Sequence, residues 1–388
     1  GIRLRAAART TANLSPHWFL AGYVARGWGS KKNYYSGEIT YSFNRKEYLP
    51  REFPKRTVSF KSTYDIMSPS DKFLRTDKDN VFTALKWAKV DAMMFYNRQQ
   101  LTLEREEEWG MKTTLSLRTE ENEAAGSLFF EKLSSFFPPI IYPETDVSSL
   151  LHNGKIRTTE LRFELEIAPG RTFINTKQRR IAINLEAPVI TLSHAVGLNG
   201  VLGGQYRYNF SEVGLLKRFW LRSWGKFDVQ LRAGAQWDKV PFPLLIMPAA
   251  NLSYIVQRGA FNLINNMEFL NDRYASVDLA WDMNGKIFNR IPLLKKLKWR
   301  EYIGFKSLWG SLTDKNNPFL FQNMGDATLM YFPEGSHVMN PKRPYMELIV
   351  GVHNIFKLFH VQYVRRLNYN ELPTAHKQGV RLMMRMSF

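Results

Sequence analysis

The chain has 388 residues, with 54 Lys and Arg against 35 Asp and Glu, a formal charge of +19, 44% apolar and 14% aromatic residues. That apolar content excludes wholesale disorder, and the length supplies one large β architecture or two to three ordinary domains without metal or disulfide staples. The absence of cysteine removes disulfide frameworks, Cys-ligated zinc, iron–sulfur clusters and thiol nucleophiles together.

The chain opens on Gly1 with neither an initiator Met nor a signal-peptide core, and reads as a trimmed fragment. From there the dominant pattern is period two, in segments of roughly 8 to 12 residues, the length with which a tilted strand crosses a bilayer. Ile2, Leu4 and Ala6 alternate with Arg3, Arg5 and Ala7. Tyr35, Ile39, Tyr41 and Phe43 share one face; Ser36, Glu38, Thr40 and Ser42 share the other. Met111 to Arg118 repeats the pattern, and Leu161, Phe163, Leu165 and Ile167 oppose Glu160, Arg162, Glu164 and Glu166. Phe227 to Ala233, Ala275 to Trp281 and Met346 to Val352 follow, and last come Leu382, Met384, Met386 and Phe388 against Arg381, Arg385 and Ser387. Weaker segments lie near 18–28, 56–65, 95–105, 187–196, 203–210, 213–222, 258–270, 299–310 and 359–369, which brings the expectation to about 16 strands, give or take two.

Asn153-Gly154, Asn199-Gly200 and Asn284-Gly285 tolerate positive φ and mark tight reversals. Longer connections are expected at 66–92, with a short helix over Val81 to Met94, at 120–157, broken by Phe136-Phe137-Pro138-Pro139, and at 311–343. Ile291 to Trp299, apolar and basic, suits a short interfacial turn or helix. No window approaches the ~20 apolar residues of a spanning helix; the most apolar stretch, residues 241–250, is short and carries three prolines. With no linker-like run or internal repeat, residues 1–388 read as one domain.

A strand in hydrocarbon has no water for its N–H and C=O groups, so the sheet must close, and side chains then alternate between lipid and lumen. A soluble sandwich gives the same alternation. Three features separate the two: a final strand ending on Phe388, with Leu382, Met384 and Met386, in the manner of an outer-membrane assembly signal; Trp18, Trp28, Tyr34, Trp237, Trp281, Trp299 and Trp309 near strand ends, suited to interfacial girdles; and a modestly negative mean hydropathy. The expected fold is all-β, an antiparallel transmembrane β-barrel of the outer-membrane type.

Gly1 to Thr11 with Trp18 to Trp28, Thr176 to Arg180, Lys239 to Pro248, Phe261 to Ser276, Asn284-Gly285 with Asn289 to Arg300, and His353 to Lys357 before Tyr363 to Leu367 resemble an uncharacterised outer-membrane family of Bacteroidetes. The likeness covers nearly the whole chain. Members typically carry a carboxypeptidase-regulatory-like β-sandwich ahead of the barrel, so the resemblance implies the C-terminal barrel of a longer protein in the bacterial outer membrane, without a settled activity. Strand number suggests a distant likeness to the 16-stranded barrels of outer-membrane assembly and translocation. The Arg-Gly motif with which those anchor a loop in the lumen has no matching setting here: Arg26-Gly27 and Arg258-Gly259 are the only such pairs.

None of the seven histidines is spaced with a second as a metal-ligand pair, so no metal or cofactor is expected. His353 and His360 suit neighbouring strands as wall residues, and Ser193-His194 leaves a hydrolase reading without a third group. Glu160, Arg162, Glu164 and Glu166, with basic partners such as Arg381 and Arg385, line the expected lumen; they either set pore selectivity or fill a plugged barrel with ion pairs that pin register. The acidic run Glu104 to Glu108 suits a solvated strand end. The net positive charge is spread along strands and turns, without a basic helix or an RNA-binding sheet motif, which speaks against nucleic acid and for rim cations neutralising phosphates of outer-leaflet lipid and lipopolysaccharide. The leading functional expectation is a non-enzymatic scaffold for transport, export or assembly, with the barrel assembly machinery and other envelope proteins as partners. A diffusion porin with a charged lumen and a barrel-wall hydrolase are the alternatives.

Overall fold

The computed structural model describes residues 3–73, 86–87, 90–133 and 154–385. Its strands are β1 (Arg3–Arg9), β2 (Trp18–Gly27), β3 (Asn33–Ser42), β4 (Arg56–Met67), β5 (Ala92–Glu106), β6 (Met111–Gly126), β7 (Lys155–Ile167), β8 (Phe173–Asn175), β9 (Arg180–Ala182), β10 (Val189–Gly197), β11 (Tyr208–Trp220), β12 (Lys226–Gln236), β13 (Arg273–Asp282), β14 (Arg300–Ser311), β15 (Tyr345–Ile355), β16 (Phe359–Arg366) and β17 (Gln378–Met384). Fifteen form one sheet in chain order, and β8 and β9 make a separate hairpin. The one α-helix among the described residues, α1, spans Pro292–Leu297, where the sequence suggested an interfacial turn or helix.

Four expectations change. Residues 203–210 and 213–222 are not two strands: Tyr208 to Trp220 runs on as β11. Residues 258–270 form no strand but part of a compact internal segment, 241–272, between β12 and β13. β6 runs to Gly126 and β7 begins at Lys155, so the connection between them is shorter than 120–157. Of the helix expected over 81–94, residues 81–85 and 88–89 lie outside the described residues, and from Ala92 onward the chain is strand β5. Ile2, the Phe136 to Pro139 break, Asn153, Met386 and Phe388 also lie outside them.

The chain divides into two compact units: residues 1–67, 93–213 and 236–240 form the first, residues 68–92, 214–235 and 241–388 the second. In the first, β6, β7 and β10 show how alternation becomes wall. Leu161 pairs across to Leu117 and Val196, Phe163 to Leu115 and His194, and Leu161 and Phe163 stand exposed on one face. On the other, Ile156, Thr158 and Glu160 are buried. At one end of this unit the turn over residues 43–55 closes on Lys46, whose buried ammonium donates to the carbonyls of Glu52 (2.6 Å) and Pro54. Burial outweighs the nearby Glu52 and pushes Lys46 down to about 8.

In the second unit β12 to β14 pair residue for residue, and β14 to β17 continue the ladder, with an irregularity between Val352 and Ile355. The reversal at Asn284-Gly285 uses positive φ at both residues (55° and 78°). In the β11–β12 turn, a side chain on Gly225 would stand 2.0 Å from the Asp282 carbonyl, so only glycine fits. One face of these strands carries exposed Ile303, Leu348, Val350, Tyr363, Val380 and Leu382. The other is covered by residues 241–272, whose Phe261, Ile264 and Phe269 join Leu308, Met339, Tyr345 and Tyr369 in a core.

Candidate functional site

The covered face of the second unit carries charge in register. Asp278 on β13 pairs across to Lys306 on β14, Lys306 to Glu347 on β15, and Glu347 to Arg366 on β16, so four ionisable groups of alternating sign form one transverse row. Lys306 is nearly buried, and Glu347 and Arg366 are fully buried. Charges withdrawn from water need partners, and the internal segment provides most of them. Lys306 Nζ meets Asp278 at 2.9 Å and donates to the Ala260 carbonyl at 2.7 Å. The Glu347 carboxylate accepts from the backbone N–H groups of Asn262 (3.0 Å) and Leu263 (2.7 Å) and from the Tyr345 hydroxyl (2.7 Å). Arg366 forms a 2.6 Å ion pair with Glu268 and donates to the Tyr369 carbonyl at 3.0 Å. On β17, Arg381 donates to the Asn262 carbonyl and lies 4.5 Å over the Trp87 ring, whose Nε1 donates to Asn251 O at 2.9 Å. His376 packs edge-on against the same indole at 4.4 Å; burial first, then Arg366 and Arg381, hold it below its ordinary value. The wall thus grips the segment mainly through its backbone, which fixes its path whatever its surface side chains.

The segment also touches the last strand of the sheet. Val256 N–H donates to Leu382 O (2.8 Å) and Leu382 N–H to Tyr254 O (2.7 Å), a short parallel pairing centred on Ile255. Arg258-Gly259 sits just beyond it, with Gly259 at φ 76° and the Arg258 side chain exposed. The anchors of the segment are Lys306, Glu347, Arg366 and Arg381, not this pair.

The charges singled out in the sequence fall in both units. In the first, Glu160 is buried and accepts from Arg162 (2.9 Å), Arg118 (3.1 Å) and the Tyr208 hydroxyl (2.9 Å). Gly197 makes room for that tyrosine: a Cβ there would stand 2.2 Å from its ring. Glu164 lies 3.8 Å from Arg162, and Glu166 is opposite Lys112 in the ladder. In the second unit, Arg381 is buried against the segment as described, whereas Arg385 is exposed and its carbonyl accepts from His360 Nε2 at 3.0 Å. Leu382 and Met384 stand exposed on one face of β17. His353 and His360 do lie on neighbouring strands, with rings 4.5 Å apart. His194 meets Ser211 Oγ at 2.9 Å, not Ser193, and the same hydroxyl accepts from Trp237 Nε1 at 3.0 Å. Among the described residues no group of three or more His, Asp or Glu is placed to hold a metal ion.

Residues 1–319 match the family described as Family of unknown function (DUF5686) C-terminal domain. The chain belongs to this family. No curated protein matches the sequence. Among solved structures, the crystal structure of BamA from Haemophilus ducreyi lacking POTRA domains 1–3 is similar with a TM-score of 0.55 at 11% identity, over 98% of this chain and 68% of that one. At that identity the likeness concerns the fold alone, and the fold of this DUF5686 C-terminal domain is an antiparallel β-barrel of the outer-membrane type, with 15 strands in its sheet. In such a barrel the apolar face meets lipid and the polar face turns inward.

Proposed function

We propose that this domain is a non-enzymatic barrel of the bacterial outer membrane that serves as a transport, export or assembly scaffold rather than as an open pore. The observation that carries the reading is that the charges of β14 to β16 in this row, Lys306, Glu347 and Arg366, hold residues 241–272 instead of facing water. A diffusion porin needs its inward charges solvated to select ions; here the largest of them are buried under the chain itself. The BamA-like fold supports an assembly or transport role, and the proposed context is a wall in contact with outer-membrane lipid and lipopolysaccharide, delivered by the barrel assembly machinery and working with other envelope proteins. A carboxypeptidase-regulatory-like module ahead of the barrel, as the family resemblance implies, would supply the periplasmic contacts. Single-channel recording of the refolded chain in planar bilayers tests the reading: near silence supports the scaffold, and large stable currents would replace it with the porin.

A further inference from the structure

The connection between β13 and β14 carries a surface that nothing among the described residues covers. Pro292 starts α1 where its missing N–H costs nothing, and Lys298 ends it in the left-handed region (φ 57°). The short helix is tied down by Asn354 Nδ2, which donates to the Lys298 carbonyl at 2.7 Å, and by Glu301, which accepts from Phe288 N–H. On this fixed support Ile287, Ile291, Leu293 and Leu297 are all exposed, Leu293 to 67%. Among them stand the exposed cations Arg290, Lys295, Lys296 and Lys298, for which no carboxylate lies within ion-pair distance among the described residues. Greasy side chains and unpaired ammonium groups on one exposed turn suit the boundary between headgroups and acyl chains.

The neighbouring aromatics fix the level. Trp281 Nε1 donates to Trp224 O at 2.9 Å, their rings lie 5.9 Å apart, and Lys286 is 5.5 Å from the Trp224 ring. Trp281 pairs across to Ile303 and Ala275 to Trp309. Six residues along β14 thus separate two indole levels, roughly 20 Å along the strand and about 15 Å along the bilayer normal at the tilt of such strands, within the height of an apolar band. α1 lies just beyond the Trp281 level. At that end the unit's connections are the tight turns 221–225 and 356–358 and the α1-bearing 283–299, against 237–272, 312–344 and 367–377 at the other, where the two longest lie. Short connections mark the periplasmic side of such barrels, where the leaflet is phospholipid.

We infer that Arg290, Lys295, Lys296 and Lys298, with the apolar residues around them, form a seat for the phosphate of an anionic phospholipid in the periplasmic leaflet. This rests on the outer-membrane barrel reading and departs from the expectation that outer-leaflet lipid takes up the excess positive charge.

The test is the full chain reconstituted in phosphatidylcholine vesicles doped with phosphatidylglycerol, extracted in mild detergent, and read by native mass spectrometry for retained lipid. The wild type retains phosphatidylglycerol over phosphatidylcholine, less so at high salt. Lys295→Gln with Lys296→Gln and Lys298→Gln loses retention by about fivefold per charge. The matching Lys→Arg triple variant keeps it, which separates lost charge from lost fold, and Lys342→Gln with Lys377→Gln, at the other end, changes nothing. Equal retention of both lipids, or an equal loss in the Lys342 and Lys377 variant, would each overturn the seat. Failure to insert into any vesicle would overturn the barrel reading and the seat together, whereas insertion without lipid preference would overturn the seat alone.

Discussion

Glu268 and Arg366 are both fully buried, so neither has water to fall back on when the other is lost. Either Glu268→Gln or Arg366→Met should destabilise the barrel by about 3–5 kcal/mol, read from urea titrations in lipid, and Glu268→Leu combined with Arg366→Met should recover most of that loss. An additive double variant would show that the pair is not the coupling. Lys46 makes a pH prediction of the opposite sense to a paired lysine. Its folded value of about 8 lies below the ordinary 10.5, so between those two pH values the unfolded chain holds a proton that the folded one has shed. The 43–55 turn should therefore gain protease resistance as pH rises through that window and level off above it. Lys46→Met should abolish the rise. These residues also mark where reading the sequence stops. Glu160 and Arg162 stand two apart in one strand, and their alternation is visible. Asp278, Lys306, Glu347 and Arg366 come from four strands, and only the register makes them a row.

At the scale of elements, period two was enough to find most of the wall, because every strand answers to an apolar side and a polar side. Leu165 pairs with Thr113 and Leu192 on the outward side of β7. Leu165→Arg should cost ~2–4 kcal/mol if that position sits near the midplane, measured by the urea midpoint in vesicles; tolerance there would deny that this face meets hydrocarbon. Periodicity misled at 258–270 for a physical reason. Asn262 and Glu268 are buried like the inward residues of the wall, and Phe261 and Leu263 are buried like those of the core. A segment packed between wall and core therefore alternates much as a strand does. At 203–222 the cause is simpler: Ser211 and Glu212 look like a break between two strands, yet β11 carries both.

For the whole molecule, the all-β class and a sheet of 15 strands against about 16 expected were legible, since strand length and turn spacing repeat along the chain. The internal segment was not, because its prolines and buried polar residues are also those of an ordinary long loop. The wild type should be nearly silent in planar bilayers, and replacing Glu347 and Arg366 together by Ala should raise open-channel events if the grip of the wall is what keeps the segment seated. Unchanged silence in a folded variant would mean that apolar packing alone holds it. The pairing of Tyr254 and Val256 with Leu382 reaches further. At Leu382 the N–H and C=O that point away from β16 are taken by the segment and not by another strand, and such groups left open invite any extended peptide to zip onto them. This polypeptide lays three of its own residues along that side of β17, so a newcomer must first evict a tenant tethered at both ends, and self-association through this border carries a built-in toll.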